Sequence, residues 1–102
     1  MKIEQAPGKL QVGFRLLHAA LPHNKVHAVL TSEEYLIGIV EDSKNIIVVV
    51  GRHDRKPLTI KDDMNPIKDY AIANYNLPRQ NQLTEIPFHQ DGITHYFMFA
   101  KP

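Results

Sequence analysis

Five β-branched residues in a row, Ile46, Ile47, Val48, Val49 and Val50, most constrain what this chain can fold into. Side chains branched at Cβ are stiff at their first torsion, which crowds a helix and suits a pleated strand. Successive side chains of a strand face opposite sides of the sheet. A run that is apolar at every position therefore asks for cover on both faces. "EYLIGIV" (34–40) has the same character, and the polar turn "EDSK" joins it to "NIIVVVG" (45–51). "KVHAVLT" (25–31) reads as a further strand, with Val26, Ala28 and Leu30 on one face.

Two segments carry helical spacing instead. Leu10, Phe14, Leu17 and Leu21 repeat at i, i+4, i+7, i+11 over residues 8–21, and Pro22 ends the run. "DMNPIKDYAIANYNLP" (63–78) offers Asn65 as N-cap and Pro66 at the first helical position. Ile67, Tyr70, Ala71 and Asn74 would share its face, with Pro78 just beyond the end. "KPLTIKD" (56–62) suggests a short added edge strand.

The last segment, "IPFHQDGITHYFMFAK" (86–101), predicts a hairpin about Asp91-Gly92. With those two as the turn, Gln90 pairs with Ile93, His89 with Thr94, Phe88 with His95 and Ile86 with Phe97. Alternation then puts His89 and His95 on opposite sides of the ribbon, which keeps them from ligating one metal. The expected fold is α+β: a small, mostly antiparallel sheet of about five strands with two helices, in the order α-β-β-β-(β)-α-β-β. Residues 1–102 read as a single domain, with 1–7 as a flexible N-terminal tail. Two helices of about a dozen residues cover roughly one face of such a sheet. Either they lie on opposite faces, or a second chain, a homodimer partner or another protein, covers the other.

Composition narrows the chemistry. With no cysteine there are no disulfides, thiolate metal sites or cysteine nucleophiles. The start "MKIEQAPGKLQVGF" lacks a signal-peptide pattern, and no apolar run approaches the roughly 18–20 residues that span a bilayer. A cytoplasmic protein is the expectation. The 12 basic and 11 acidic residues give a formal charge of +1, which supplies no strong field for nucleic acid. No phosphate-binding glycine loop and no nucleophile elbow is present.

The remaining candidates are histidines and one charged cluster. His23 and His27 stand four residues apart, but in a turn-then-strand reading that is about 13 Å, too far for one ion. His18, at a helix end, reads as a cation suited to the helix C-terminus. No metal site and no cofactor is expected. "VEDSKN" (40–45) resembles the acidic-x-lysine signature of the restriction-like nucleases at Glu41, Asp42 and Lys44. In that family the carboxylates lie within paired strands, whereas these residues read as a turn, so the resemblance implies no metal site here.

"GRHDRK" (51–56) is the densest polar cluster, and Arg52, His53, Asp54, Arg55 and Lys56 are the candidate binding residues. Two function classes follow, and beside them a third, a small-ligand sensor with its ligand between helix and sheet. The first is a small non-enzymatic protein-binding domain: an inhibitor, an immunity or antitoxin-like protein, or an assembly subunit. Its partner would be another protein or a second copy of itself. The second is a small metal-independent ribonuclease or phosphodiesterase. There His53 would be general acid or base, Arg52 and Arg55 would clamp phosphate, and His27 or His95 would carry the second proton.

Overall fold

The computed structural model describes residues 1–8, 25–59, 61–77, 79–90 and 93–101, with backbone alone for 83–90 and 93–97. The sheet strands are β1 (Glu4–Gln5), β2 (Lys25–Thr31), β3 (Tyr35–Glu41), β4 (Asn45–Arg52), β5 (Gln82–Gln90) and β6 (Ile93–Ala100). Helix α1 (Asn65–Asn74) and a 3₁₀ turn (Arg79–Asn81) lie between β4 and β5. All pairings are antiparallel, in the order β1-β2-β3-β4-β6-β5. This is the expected α+β class, with five substantial strands and a two-residue sixth. Among the described residues there is one α-helix rather than two. The helix expected over residues 8–21 falls almost wholly outside them.

The β-branched run lies in β4, inside the sheet. Ile37 pairs with Val50 and Ile39 with Val48 on one face, and Gly38 with Val49 and Val40 with Ile47 on the other. The first face packs Tyr35, Ile37, Ile39, Ile46, Val48, Val50 and Phe99 against Ile67 and Ala71 of α1, with Met64 and Leu77 at its ends. The second is buried as well: Val40 is 0% and Val49 1% exposed. Both faces of β4 are thus covered within one chain, and the packing argument for a homodimer or other covering partner loses its basis.

Local chemistry explains the departures from expectation. In β2 the register shifts between Val26 and Ala28, leaving His27 as an extra, bulged residue. Val26 therefore falls out of step with Ala28 and Leu30 and is exposed. The short strand expected in 56–62 is absent from its described residues. Thr59 and Asp62 form a turn there instead, the Asp62 N–H donating to the Thr59 carbonyl at 3.0 Å and Asp62 Oδ2 accepting the Thr59 N–H at 2.8 Å. The β3–β4 turn is similarly built by Asp42, whose Oδ1 accepts the N–H groups of Lys44 (2.8 Å) and Asn45 (2.6 Å). Helix α1 begins after Met64 as N-cap, one residue earlier than expected, and Asp63 Oδ1 accepts the Asn65 N–H at 3.0 Å. Ile67 and Ala71 are buried as their spacing requires, but Asn74 is exposed, its side-chain amide donating to the Tyr70 carbonyl.

The β5–β6 hairpin keeps the expected Gln90–Ile93 pair and then changes register. Pro87, not Phe88, pairs with His95, and Tyr96, not Phe97, faces Ile86. One extra residue is accommodated in β5 beside Pro87, which has no N–H for a ladder and sits on an edge strand, where bulges and prolines are tolerated. The expected separation of His89 from His95 rested on the unbulged register. Their side chains, and the turn residues 91–92, lie outside the described residues.

Helix α1 ends on a compact cap. Asn76 adopts the left-handed conformation (φ 53°), and the Leu77 N–H donates to the Ile72 carbonyl at 3.2 Å. Leu77 then turns into the core at 2% exposure. Asparagine tolerates this backbone better than residues other than glycine. Chemical denaturation should therefore show Asn76→Ala losing about 1 kcal/mol, while Asn76→Gly loses none.

Candidate functional site

Antiparallel pairing of β3 with β4 puts Tyr35, the first residue of one strand, opposite Arg52, the last of the other. The chain then turns. Arg55 takes a left-handed backbone (φ 62°), and its N–H donates to the Arg52 carbonyl at 3.0 Å. That turn brings Asp54 back onto Arg52. The guanidinium donates from Nε to Asp54 Oδ1 (2.9 Å) and from Nη2 to Asp54 Oδ2 (2.8 Å), a bidentate pair. A third donor, Nη1, reaches Asp62 Oδ1 at 3.0 Å.

Asp62 is the hub of the cluster. Its side chain is only 6% exposed, and Oδ1 also accepts the Tyr35 hydroxyl at 2.5 Å. Oδ2 accepts the Thr59 N–H at 2.8 Å. A buried carboxylate is costly without partners, and this one has several. The Tyr35 hydroxyl, then Thr59 and Arg52, hold the Asp62 carboxyl below its ordinary value. Arg52, with the Lys56 N–H, holds Asp54 well below the carboxylate range, and Asp54 raises Arg52 further in turn. Burial, then the bond to Asp62, pushes the Tyr35 phenol up.

His53 anchors the same turn to the neighbouring one. Its N–H donates to the Glu34 carbonyl at 3.0 Å. Its ring Nε2 lies 3.0 Å from Thr31 Oγ1 and 3.1 Å from the Ser32 carbonyl oxygen. Nε2 is thus within hydrogen-bond distance of a hydroxyl and a carbonyl at the β2–β3 turn. Arg55 and Lys56 are exposed, and among the described residues their side chains have no hydrogen bond or ion pair.

The structure therefore brings Arg52 and Asp54 together, sets the His53 ring on the neighbouring β2–β3 turn, and leaves the Arg55 and Lys56 side chains exposed. Tyr35 and Asp62 belong to the cluster and went unmarked in the sequence. Strand pairing carries the signal for Tyr35, whereas nothing periodic announces Asp62 from within a loop. Beside the cluster, between β1, the β2–β3 turn and the start of α1, an open groove of about 700 Å³ is rimmed by Glu4, Glu33, Glu34 and Asp63. Lys2 lines it too, 3.9 Å from Glu4.

His27 lies elsewhere. Its Nε2 is 3.0 Å from Glu41 Oε1, Lys101 Nζ is 2.6 Å from Glu41 Oε2, and its ring meets Tyr75 edge-on at 6.3 Å. Lys101 first, then His27, lowers the Glu41 carboxyl. Glu41 and Tyr35 mark opposite ends of β3, six residue steps or about 20 Å apart. His27 and His53 thus cannot serve one phosphate. No group of acidic and histidine side chains among the described residues is placed to hold a metal ion. None of their helices is long and apolar enough to cross a membrane. The chain matches no protein-family model, no curated protein and no solved structure.

Because the fold lowers the Asp62 and Asp54 carboxyls, their stabilisation is present above the ordinary carboxylate value near 4 and is lost as pH falls through the folded values. Denaturation of wild type and Asp62→Asn from about pH 7 to about pH 2 should show the stability gap narrowing in acid. A gap that stays constant would remove Asp62 from the acid response.

Proposed function

We propose that this chain is a small non-enzymatic domain that works by binding another protein, as an inhibitor, an immunity or antitoxin-like protein, or an assembly subunit. The observation that carries the proposal is the state of Arg52, whose charge is met by both Asp54 and Asp62. A phosphate clamp needs a guanidinium with donors to spare and net positive surroundings. Arg52 spends three of its five N–H groups on two carboxylates, and the adjoining groove is lined by four acids against Lys2 and the N-terminus, which leaves it net negative. His53 Nε2 lies against the Thr31 hydroxyl and the Ser32 carbonyl, so that nitrogen is occupied at the β2–β3 turn. The cluster's geometry suits shaping a surface better than transferring a proton. A cytoplasmic setting accords with the cysteine-free composition.

The competing ribonuclease reading requires His53 and the arginines to act on RNA. Wild type and His53→Ala, assayed without metal on single-stranded and structured RNA, are expected to show the same background cleavage. Cleavage by wild type that falls at least about a hundredfold in His53→Ala would overturn the binding proposal in favour of acid–base catalysis.

A further inference from the structure

We infer that the end of the sheet carrying the β2–β3 turn and the turn after β4 is an interface between two copies of this chain. The inference deepens the protein-binding proposal by naming the partner, and it rests on that proposal. Two pairs of exposed charges stand there whose side chains have no hydrogen bond or ion pair among the described residues: Glu33 and Glu34 on one turn, Arg55 and Lys56 on the other. Most other charges of this end are engaged, although the Lys61 side chain is exposed and has no hydrogen bond or ion pair among the described residues. Arg52 is held by Asp54 and Asp62, Lys2 faces Glu4, and Asp63 accepts the Asn65 N–H.

Two negative and two positive charges, none of them in an ion pair among the described residues, form a self-complementary set, with Lys56 also acting on Asp54 of its own turn. A two-fold contact is isologous: if residue i of one copy meets residue j of the other, j also meets i. The two turns are neighbours, tied by the bond from the His53 N–H to the Glu34 carbonyl at 3.0 Å. A two-fold axis at this end sets each Arg55-Lys56 turn against the other copy's Glu33-Glu34 turn. The groove beside Glu33 and Glu34 gives the incoming turn a concave surface to enter. The left-handed backbone at Arg55 closes a tight turn, and the Arg55 and Lys56 side chains on it are exposed.

Association held by exposed charges is sensitive to salt. Sedimentation equilibrium of the full chain should show concentration-dependent dimers at about 50 mM salt that dissociate toward about 500 mM. The double substitutions E33K/E34K and R55E/K56E should each weaken self-association at least about tenfold, and an equimolar mixture of the two should recover a one-to-one dimer. All four positions are exposed, and circular dichroism of each variant checks that the fold is intact. Wild type that stays monomeric at every concentration and salt, or dimers that persist unchanged in both variants, would overturn the inference. A monomer that retains a different protein, with retention lost in E33K/E34K, would also overturn self-pairing yet leave the protein-binding proposal standing.

Discussion

Everything in this fold depends on hiding β4 from water on both faces. Five consecutive β-branched side chains cannot be half-buried, because alternation sends neighbours to opposite sides. Burying a valine or isoleucine fully is worth about 1.5–3 kcal/mol, so exposing either face would forfeit several such terms. The chain meets this demand by pairing β4 with β3 and β6 and by laying α1 across one face. Hairpin β3–β4 in turn fixes Tyr35 opposite Arg52, and the polar cluster is built on that rung.

At that rung the structure trades charge for order. The loop from residue 53 to residue 64 contains two prescribed turns, one closed by Asp54 and one by Asp62, and both carboxylates converge on Arg52. Tyr35 brings the edge of the core to the same point through its hydroxyl. An arginine in a cluster of basic residues resembles a phosphate site when read linearly. In three dimensions its planar fork is matched to two acids, a geometry that arginine favours over lysine. At the opposite end of the sheet Glu41 plays a comparable part, gathering His27 and Lys101 where β2, β3 and the C-terminal residues meet.

The legible part of this architecture was the part governed by repetition. Strand β2 is bounded as its sequence suggests, β3 and β4 to within a residue, and Ile67 and Ala71 fall on the buried side of α1 as their spacing requires. What escaped were events that repetition does not encode. A bulge at His27 and the extra residue beside Pro87 reset the register without altering the apolar pattern. Asp62 turned a strand-like stretch into a loop because side-chain oxygens competed for the backbone N–H groups that a ladder would need. The site cluster Arg52–Asp54 was visible as a dense polar run, but its meaning was set by Tyr35 and Asp62, which long-range pairing brings in.

The central claim is that Arg52 belongs to an internal network and is not a receptor for phosphate. The most direct measurement is the Nε–Hε resonance of Arg52 in a nitrogen-15 NMR spectrum, followed while inorganic phosphate is added. The account predicts a single resolved signal, protected by its bond to Asp54, that does not move as phosphate rises. A saturable shift of that signal, lost in His53→Ala, would contradict it and return the cluster to phosphodiester chemistry.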